Sequence, residues 1–165
     1  DSTGLTPAQK EEIGVVLSDS TFSGYLTVQQ ISHIMEKMYH RFDRADFLEK
    51  CHQLSIPLDR SLKEFSTGMR AKLKVLLALS HEAKLLILDD SMSALDYATD
   101  LELRRQLAAE MGDVTKIMIS QRATSIQHAD HILVMDDGKC VGYGTHDELL
   151  VQCPVYADIY HTQMQ

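Results

Sequence analysis

An α/β fold with a mostly parallel sheet is predicted by three observations. Short apolar segments of strand length alternate with segments whose apolar residues recur at helical spacing. One strand, "LLILDD" (Leu85 to Asp90), runs straight into two adjacent carboxylates. In a parallel sheet that position opens onto the crevice beyond the carboxyl edge, where ligands bind. Between Thr27 and Ser80 the signals are helical only, which marks an inserted helical subdomain.

The elements follow in order. "EEIGVVLSD" (Glu11 to Asp19) reads as a short buried strand. Thr27 and Gln30 form a capping box that opens a helix to about Tyr39. Asp43 is the N-cap of a second helix, "RADFLEKCHQL", and "SIPLDRSLKEF" is irregular. Ser66 caps a third helix with apolar positions at Met69, Leu73, Leu76 and Leu77. Leu85 to Asp89 is a strand, "YATDLELRRQLAAEM" a helix, and Thr115 to Ser120 the next strand. A short helix spans about Thr124 to His128. "HILVMDDGKCVGYG" is a hairpin turning at Asp137-Gly138. Thr145 and Glu148 form a second capping box, and a last helix starts at about Pro154.

At 165 residues the chain has room for one domain with a real core. Sixteen basic against 24 acidic residues give a net charge of −8, with no basic cluster. That excludes a nucleic-acid partner, whose affinity rests on neutralised phosphates, and a polybasic lipid anchor. No apolar run reaches the roughly 20 residues that cross a bilayer. Cys51, Cys140 and Cys153 are odd in number and far apart, as reduced thiols in the cytoplasm would be. The chain opens at Asp1 with no signal-peptide pattern and reads as a fragment.

The strand-end acids suggest phosphoryl chemistry. An Asp there holds Mg²⁺ and a second acid orients an attacking water; a solvated acidic turn is the alternative reading. A second feature bears on the choice. In "KEFSTGMRAK", Ser66, Thr67 and Gly68 stand at a helix start, where free N–H groups and the helix dipole attract an anion. His128, His131 and His146 read as surface histidines and not as a metal site. Met35, Met38 and Met69 read as core filler, Cys51 as a packed thiol, and Arg104-Arg105 as a solvated helix face.

Together these segments resemble a known family. "FSTGMR" resembles the signature motif of ATP-binding-cassette (ABC) ATPases, "LLILDD" their Walker B strand and "SALD" (Ser93 to Asp96) their D-loop. "TKIMISQR" is similar to the switch strand, with Gln121 where His normally stands. "HADHILVMDDGKCVGYGTHDELL" resembles the C-terminal hairpin and helix of exporter-type members, and "IGVVLSD" lies where the Q-loop belongs. The resemblance spans about residues 11 to 160. Its first 88 residues look like stand-alone ABC ATPase subunits, and the part from "DDSMSALD" onward looks like one subunit of a heterodimeric exporter.

The resemblance implies a P-loop NTPase-type α/β core, but an incomplete one. The Walker A pattern G-x-x-x-x-G-K-[ST] needs two glycines five apart, and the eight glycines contain no such pair. The chain is therefore expected to begin just after that loop and to lack the strand leading into it. At the catalytic-carboxylate position Asp90 replaces Glu, shortening the side chain by a methylene, and Gln121 cannot change charge near neutral pH. Ser18 or Asp19 stands where the Q-loop glutamine would be. Thr67 replaces a Gly, and Met69 the Gln, of the signature.

By resemblance, then, the chain is one partial nucleotide-binding domain. Its helical signature part spans about 27–80, and the α/β portions about 11–19 and 81–165. Asp89 would take Mg²⁺, Asp90 and Gln121 the catalytic positions, and Ser18 and Asp19 a nucleotide-facing place. Ser66, Thr67, Gly68 and Met69 would meet ATP held by a second nucleotide-binding domain, with Ser93 and Asp96 at the dimer interface. The segment Phe22 to Val28 would face a transmembrane transporter domain. The whole would sit in the cytoplasm, peripheral at the inner face of the cell membrane. The expected function is ATP-coupled transport, with no ATPase activity in this chain alone. The alternative is a non-catalytic regulatory or interaction module derived from such an ATPase.

Overall fold

The computed structural model describes residues 4–17, 22–89, 105, 112 and 114–164. The chain divides into two compact units, Asp1–Ile119 and Ser120–Gln165.

The first unit begins with α1 (Pro7–Glu11), one turn that the sequence reading missed. Its capping box is present in full: Thr6 accepts from the Gln9 N–H, and the Gln9 side chain accepts from the Thr6 N–H at 2.9 Å. Pro7 supplies the fixed φ suited to a first helical position. No residue of α1 is buried, so no apolar stripe announces it.

Strands β1 (Ile13–Val16), β2 (Leu85–Asp89) and β3 (Thr115–Ile119) form a parallel sheet in the order β1-β2-β3. The strand expected over Glu11 to Asp19 is shorter, because Glu11 belongs to α1. Register runs Val15 to Ile87 to Ile117 across the sheet, and Asp89 pairs with Ile119 at the carboxyl edge. Of the helix expected over "YATDLELRRQLAAEM" only Arg105, which is helical, lies within the described residues.

Between β1 and β2 come α2 (Val28–Met38), α3 (Arg44–Gln53) and α4 (Thr67–Leu79), with a 3₁₀ turn at Leu62–Glu64. Thr27 and Gln30 form the expected box on α2. Asp43 accepts from the N–H groups of Ala45 and Asp46 at the start of α3. Phe42, just before that cap, packs on Phe47 with ring centroids 5.2 Å apart, a hydrophobic staple that sets the entry angle.

Helix α4 serves two cores. Leu73, Leu76 and Leu77 join Val28, Ile31, Met35, Phe47 and Cys51 inside the helical layer. Ala71, Val75 and Ala78 face the sheet, against Val16, Leu86 and Leu88. The small residues let the helix lie close: a Cβ on Gly14 would sit 2.2 Å from the Ala78 carbonyl oxygen. Cys51 is fully buried, as expected, and burial pushes its thiol up to about 12. Met35 is buried and Met69 half-buried, but Met38 is 60% exposed and is not core filler. It ends α2 at a cleft that Leu17 and Phe22 also line.

The second unit holds α5 (Ala123–Ile126), β4 (Ile132–Asp136), β5 (Lys139–Gly144), α6 (His146–Gln152) and α7 (Pro154–Gln163). The hairpin β4-β5 turns at Asp137 and Gly138, both at positive φ, as a two-residue turn matched to strand twist requires. Thr145 and Glu148 box the start of α6. The Glu148 carboxylate accepts from the Thr145 N–H at 2.8 Å, and that bond with the Thr145 hydroxyl holds its pKa below the ordinary value. Ile132, Val134, Leu149, Cys153 and Tyr156 form the core between hairpin and helices. His131 stacks on Tyr143, and His146 Nδ1 lies 2.9 Å from the Tyr156 hydroxyl.

Candidate functional site

Two features of the first unit carry the chemistry expected of it. The first is the carboxyl edge of the sheet. β2 is its central strand, and Asp89 stands half-buried at that strand's end, paired with Ile119 of β3 and one residue past the last β1 pair, Val16 with Leu88. The alternation that buries Leu86 and Leu88 against α4 aims Leu85, Ile87 and Asp89 to the other face. Asp90, the residue expected to carry the catalytic carboxylate, lies outside the described residues. So do Ser18, Asp19, Ser93 and Asp96.

The second feature is the start of α4. Ser66 is in extended conformation, and its Oγ accepts from the Met69 N–H at 3.2 Å. The Arg70 N–H returns to the Ser66 carbonyl at 3.0 Å, so regular helix bonding begins there. Thr67 and Gly68 come before it, and their N–H groups have no acceptor within the helix. Ser66 and Thr67 are exposed, Gly68 and Met69 half-exposed. The helix runs 13 residues with no acidic residue in its first turn. Its dipole and two spare donors are therefore open to an anion.

Among the described residues these two features stand apart. Ala78 lies against Gly14, and the Lys74 ammonium donates to the Leu17 carbonyl at 3.1 Å, so α4 runs antiparallel to β1. Ser66 precedes Ala78 by twelve residues, about 18 Å of helix, while Leu17 follows Gly14 by three, about 10 Å of strand, so Ser66 lies about 8 Å beyond the level of Leu17. The helix start thus projects well past the sheet edge on which Asp89 sits.

Gln121 belongs to the second unit and is exposed. Its backbone is held by a contact the sequence reading did not find. The Gln163 amide donates from Nε2 to the Gln121 carbonyl at 2.8 Å and accepts at Oε1 from the Ala123 N–H at 2.9 Å. The end of α7 thereby fixes the turn that carries Gln121. A pairing across 42 residues leaves no local pattern from which to read it.

Among the described residues, no three His, Cys, Asp or Glu side chains group as a metal site, and no helix is long and apolar enough to cross a membrane.

Comparison with known proteins identifies the family. The family model described as ABC transporter matches residues 3–93, more than half of the chain. An ABC transporter ATP-binding protein of Mycobacterium bovis is 39% identical over 99 residues, covering 60% of this chain and 17% of that protein. An ATP-dependent lipid A-core flippase of Albidiferax ferrireducens is 38% identical, over 72% of this chain and 20% of the flippase. A beta-(1→2)glucan export ATP-binding/permease protein of Rhodopseudomonas palustris is 33% identical, over 99% of this chain and 29% of that protein. The chain thus spans less than a third of the length of each of these relatives. Among solved structures, a bacterial Atm1-family ABC exporter with ATP bound superposes with a TM-score of 0.77 at 23% identity. That likeness covers 94% of this chain and 29% of the exporter and shows the shared α/β fold. The chain belongs to the ABC transporter family.

Proposed function

We propose that this chain is the ATP-binding part of an exporter-type ABC transporter and supplies one half of a shared nucleotide site. The observation that carries this reading is the start of α4. Thr67 and Gly68, capped by Ser66, offer a dipole-backed pair of N–H donors about 8 Å past the sheet edge. Donors in that place suit the terminal phosphate of an ATP presented by another subunit. They do not suit one lying against Asp89 of the same chain.

In this reading Ser66, Thr67, Gly68 and Met69 close over ATP whose phosphates are cradled by a second nucleotide-binding domain. Asp89, at the carboxyl end of β2, would hold Mg²⁺, an ion that takes carboxylate oxygens. Mg²⁺ would neutralise charge on the phosphates when bound. Asp90 would stand at the catalytic-carboxylate position with a reach shortened by one methylene, and Gln121 would orient without exchanging a proton. Ser18 and Asp19 would face the nucleotide, and Ser93 and Asp96 the dimer partner. The two units are taken as parts of one nucleotide-binding domain. The segment from Phe22 to Val28 would dock a transmembrane domain, placing the protein on the cytoplasmic face of a membrane.

The 165 residues contain no Walker A pattern, so the chain alone has no cradle for the β- and γ-phosphates. A phosphate-release assay on the purified chain with Mg-ATP should therefore stay at background. Turnover that survives repeated purification and vanishes in Asp89→Asn would sink the half-site reading.

A further inference from the structure

Gln121 stands in a turn whose backbone is tied down while its own side chain is not. The Ser120 hydroxyl accepts from the Arg122 N–H at 3.0 Å, and the Ser125 N–H donates to the Arg122 carbonyl at 3.1 Å. Arg122 is extended, with φ −99° and ψ 109°, so the Gln121 carbonyl and the Ala123 N–H point to the same side. One side chain takes both. The Gln163 amide donates from Nε2 to the first at 2.8 Å and accepts at Oε1 from the second at 2.9 Å. The Gln121 side chain is exposed and makes no hydrogen bond among the described residues.

The chemistry of this clamp is specific to an amide. Asn and Gln alone carry a neutral donor and a neutral acceptor side by side, and Asn is shorter by a methylene. Arg122, at the N-cap of α5, gives that helix no side-chain bond. Gln163 therefore supplies, from 40 residues away, the acceptor that the Ala123 N–H would otherwise take from a cap. Its support is firm. Ala123 and Tyr156 of α7, 3% and 2% exposed, share one core with Ile132, Val134 and Leu149, and Tyr160 packs against that core three residues before Gln163. Gln163 itself is exposed, so water competes for its bonds and the clamp is of modest strength.

We propose that Gln163 is a positioning residue for Gln121, and that the end of α7 thereby sets how Gln121 is presented to the shared nucleotide site. The proposal rests on the half-site reading, in which Gln121 holds the switch position. An exposed glutamine on an unclamped turn samples several directions. Fixing the carbonyl on one side of it and the N–H two residues on narrows them before nucleotide and partner arrive. The gain is preorganisation and adds no contact of Gln163 with the ligand. Docking of α7 and closure of the site are then linked, and whatever lifts the end of α7 loosens Gln121.

The test uses the intact chain labelled with ¹³C and ¹⁵N, alone and mixed with an exporter nucleotide-binding domain that has an intact P-loop and blocked hydrolysis. In the chain alone, scalar couplings across hydrogen bonds should join the Ala123 N–H to the Gln163 side-chain carbonyl, and Gln163 Nε2 to the Gln121 carbonyl. Gln163→Leu should move the Gln121 and Ala123 amide signals and leave those of Val134 and Leu149 in place. Gln163→Glu keeps the acceptor but sets a carboxylate oxygen against the Gln121 carbonyl. Its turn should be open at neutral pH and close again as pH falls through about 4 to 5, where the acid regains an O–H donor. In the mixture with Mg-ATP, Gln163→Leu and Gln121→Ala should each weaken association about three- to tenfold, and the double variant should be no weaker than Gln121→Ala. Missing couplings, additive losses, or undiminished association by either single variant would overturn the positioning role and leave the half-site reading standing. A parent chain that does not associate under Mg-ATP would overturn the half-site reading and this proposal with it.

Discussion

The approach of α4 to β1 makes Gly14→Ala the most informative single substitution. A Cβ built at Gly14 lies 2.2 Å from the Ala78 carbonyl oxygen, 2.9 Å from its carbonyl carbon and 3.2 Å from its Cβ. An ordinary carbon–oxygen contact needs about 1 Å more than the first of these, so helix and strand must part by roughly that distance. The movement loosens the contacts of Val16, Leu86 and Leu88 with Val75 and Ala78, a core in which every position is at most 6% exposed. Overpacking typically costs about 1–3 kcal/mol, and a backbone obstacle with no rotamer to yield places this case at the upper end or beyond. Urea unfolding followed by circular dichroism should show a loss of about 3 kcal/mol, with the midpoint lowered and the slope unchanged. The double variant Gly14→Ala with Ala78→Gly should not recover it, because the obstructing atom is the peptide oxygen and not the methyl group. A loss under about 0.5 kcal/mol, or recovery by Ala78→Gly, would refute the argument from close backbone approach.

Two further outcomes follow from the titratable groups. Burial holds the Cys51 thiol at about 12 with no exposure, while Cys140 is exposed. A thiol reagent at pH 8 should therefore modify Cys140 quickly and Cys51 only on addition of denaturant; equal rates in the native chain would contradict the burial. Glu148 has its pKa lowered in the folded chain by the Thr145 N–H and hydroxyl. Its contribution to α6 is full above the ordinary carboxylate value of 4.5 and is lost as pH falls through the lower folded value. Thermal unfolding of Glu148→Gln should match the parent in strong acid and fall below it at neutral pH. A constant difference across that range would count against the capping carboxylate.

What the sequence made legible was mostly local. Thr27 with Gln30, Asp43, Ser66, and Thr145 with Glu148 each announce a helix start through a bond spanning two or three residues, and each is found in place. Asp137-Gly138 marks its turn because few other residues accept positive φ twice in succession. The α/β class followed from alternation of strand and helix patterns, and β2 ends at Asp89 as the paired acids suggested. Thr6 and Gln9 gave the same kind of local signal for α1, but without an apolar face behind it the signal passes for a loop. The position of Met38 was misread for the opposite reason. It continues the spacing of Val28, Ile31 and Met35, yet the stripe runs past the end of the core and into the cleft. The grip of Gln163 on Gln121 depends on residues distant in the chain, so no window of sequence contains it.

The central claim is that the start of α4 completes a nucleotide site whose cradle belongs to another subunit. Its most direct test is sedimentation of the chain with an exporter nucleotide-binding domain that has an intact P-loop and blocked hydrolysis, with and without Mg-ATP. The account predicts association only with Mg-ATP, and its loss in Gly68→Asp. An acid in the first turn favours the helix, so that variant should melt no lower than the parent while repelling phosphate. Association that is equally strong without nucleotide would contradict the account and favour an interaction module. Saturable one-to-one binding of Mg-ATP by this chain alone would contradict it as well.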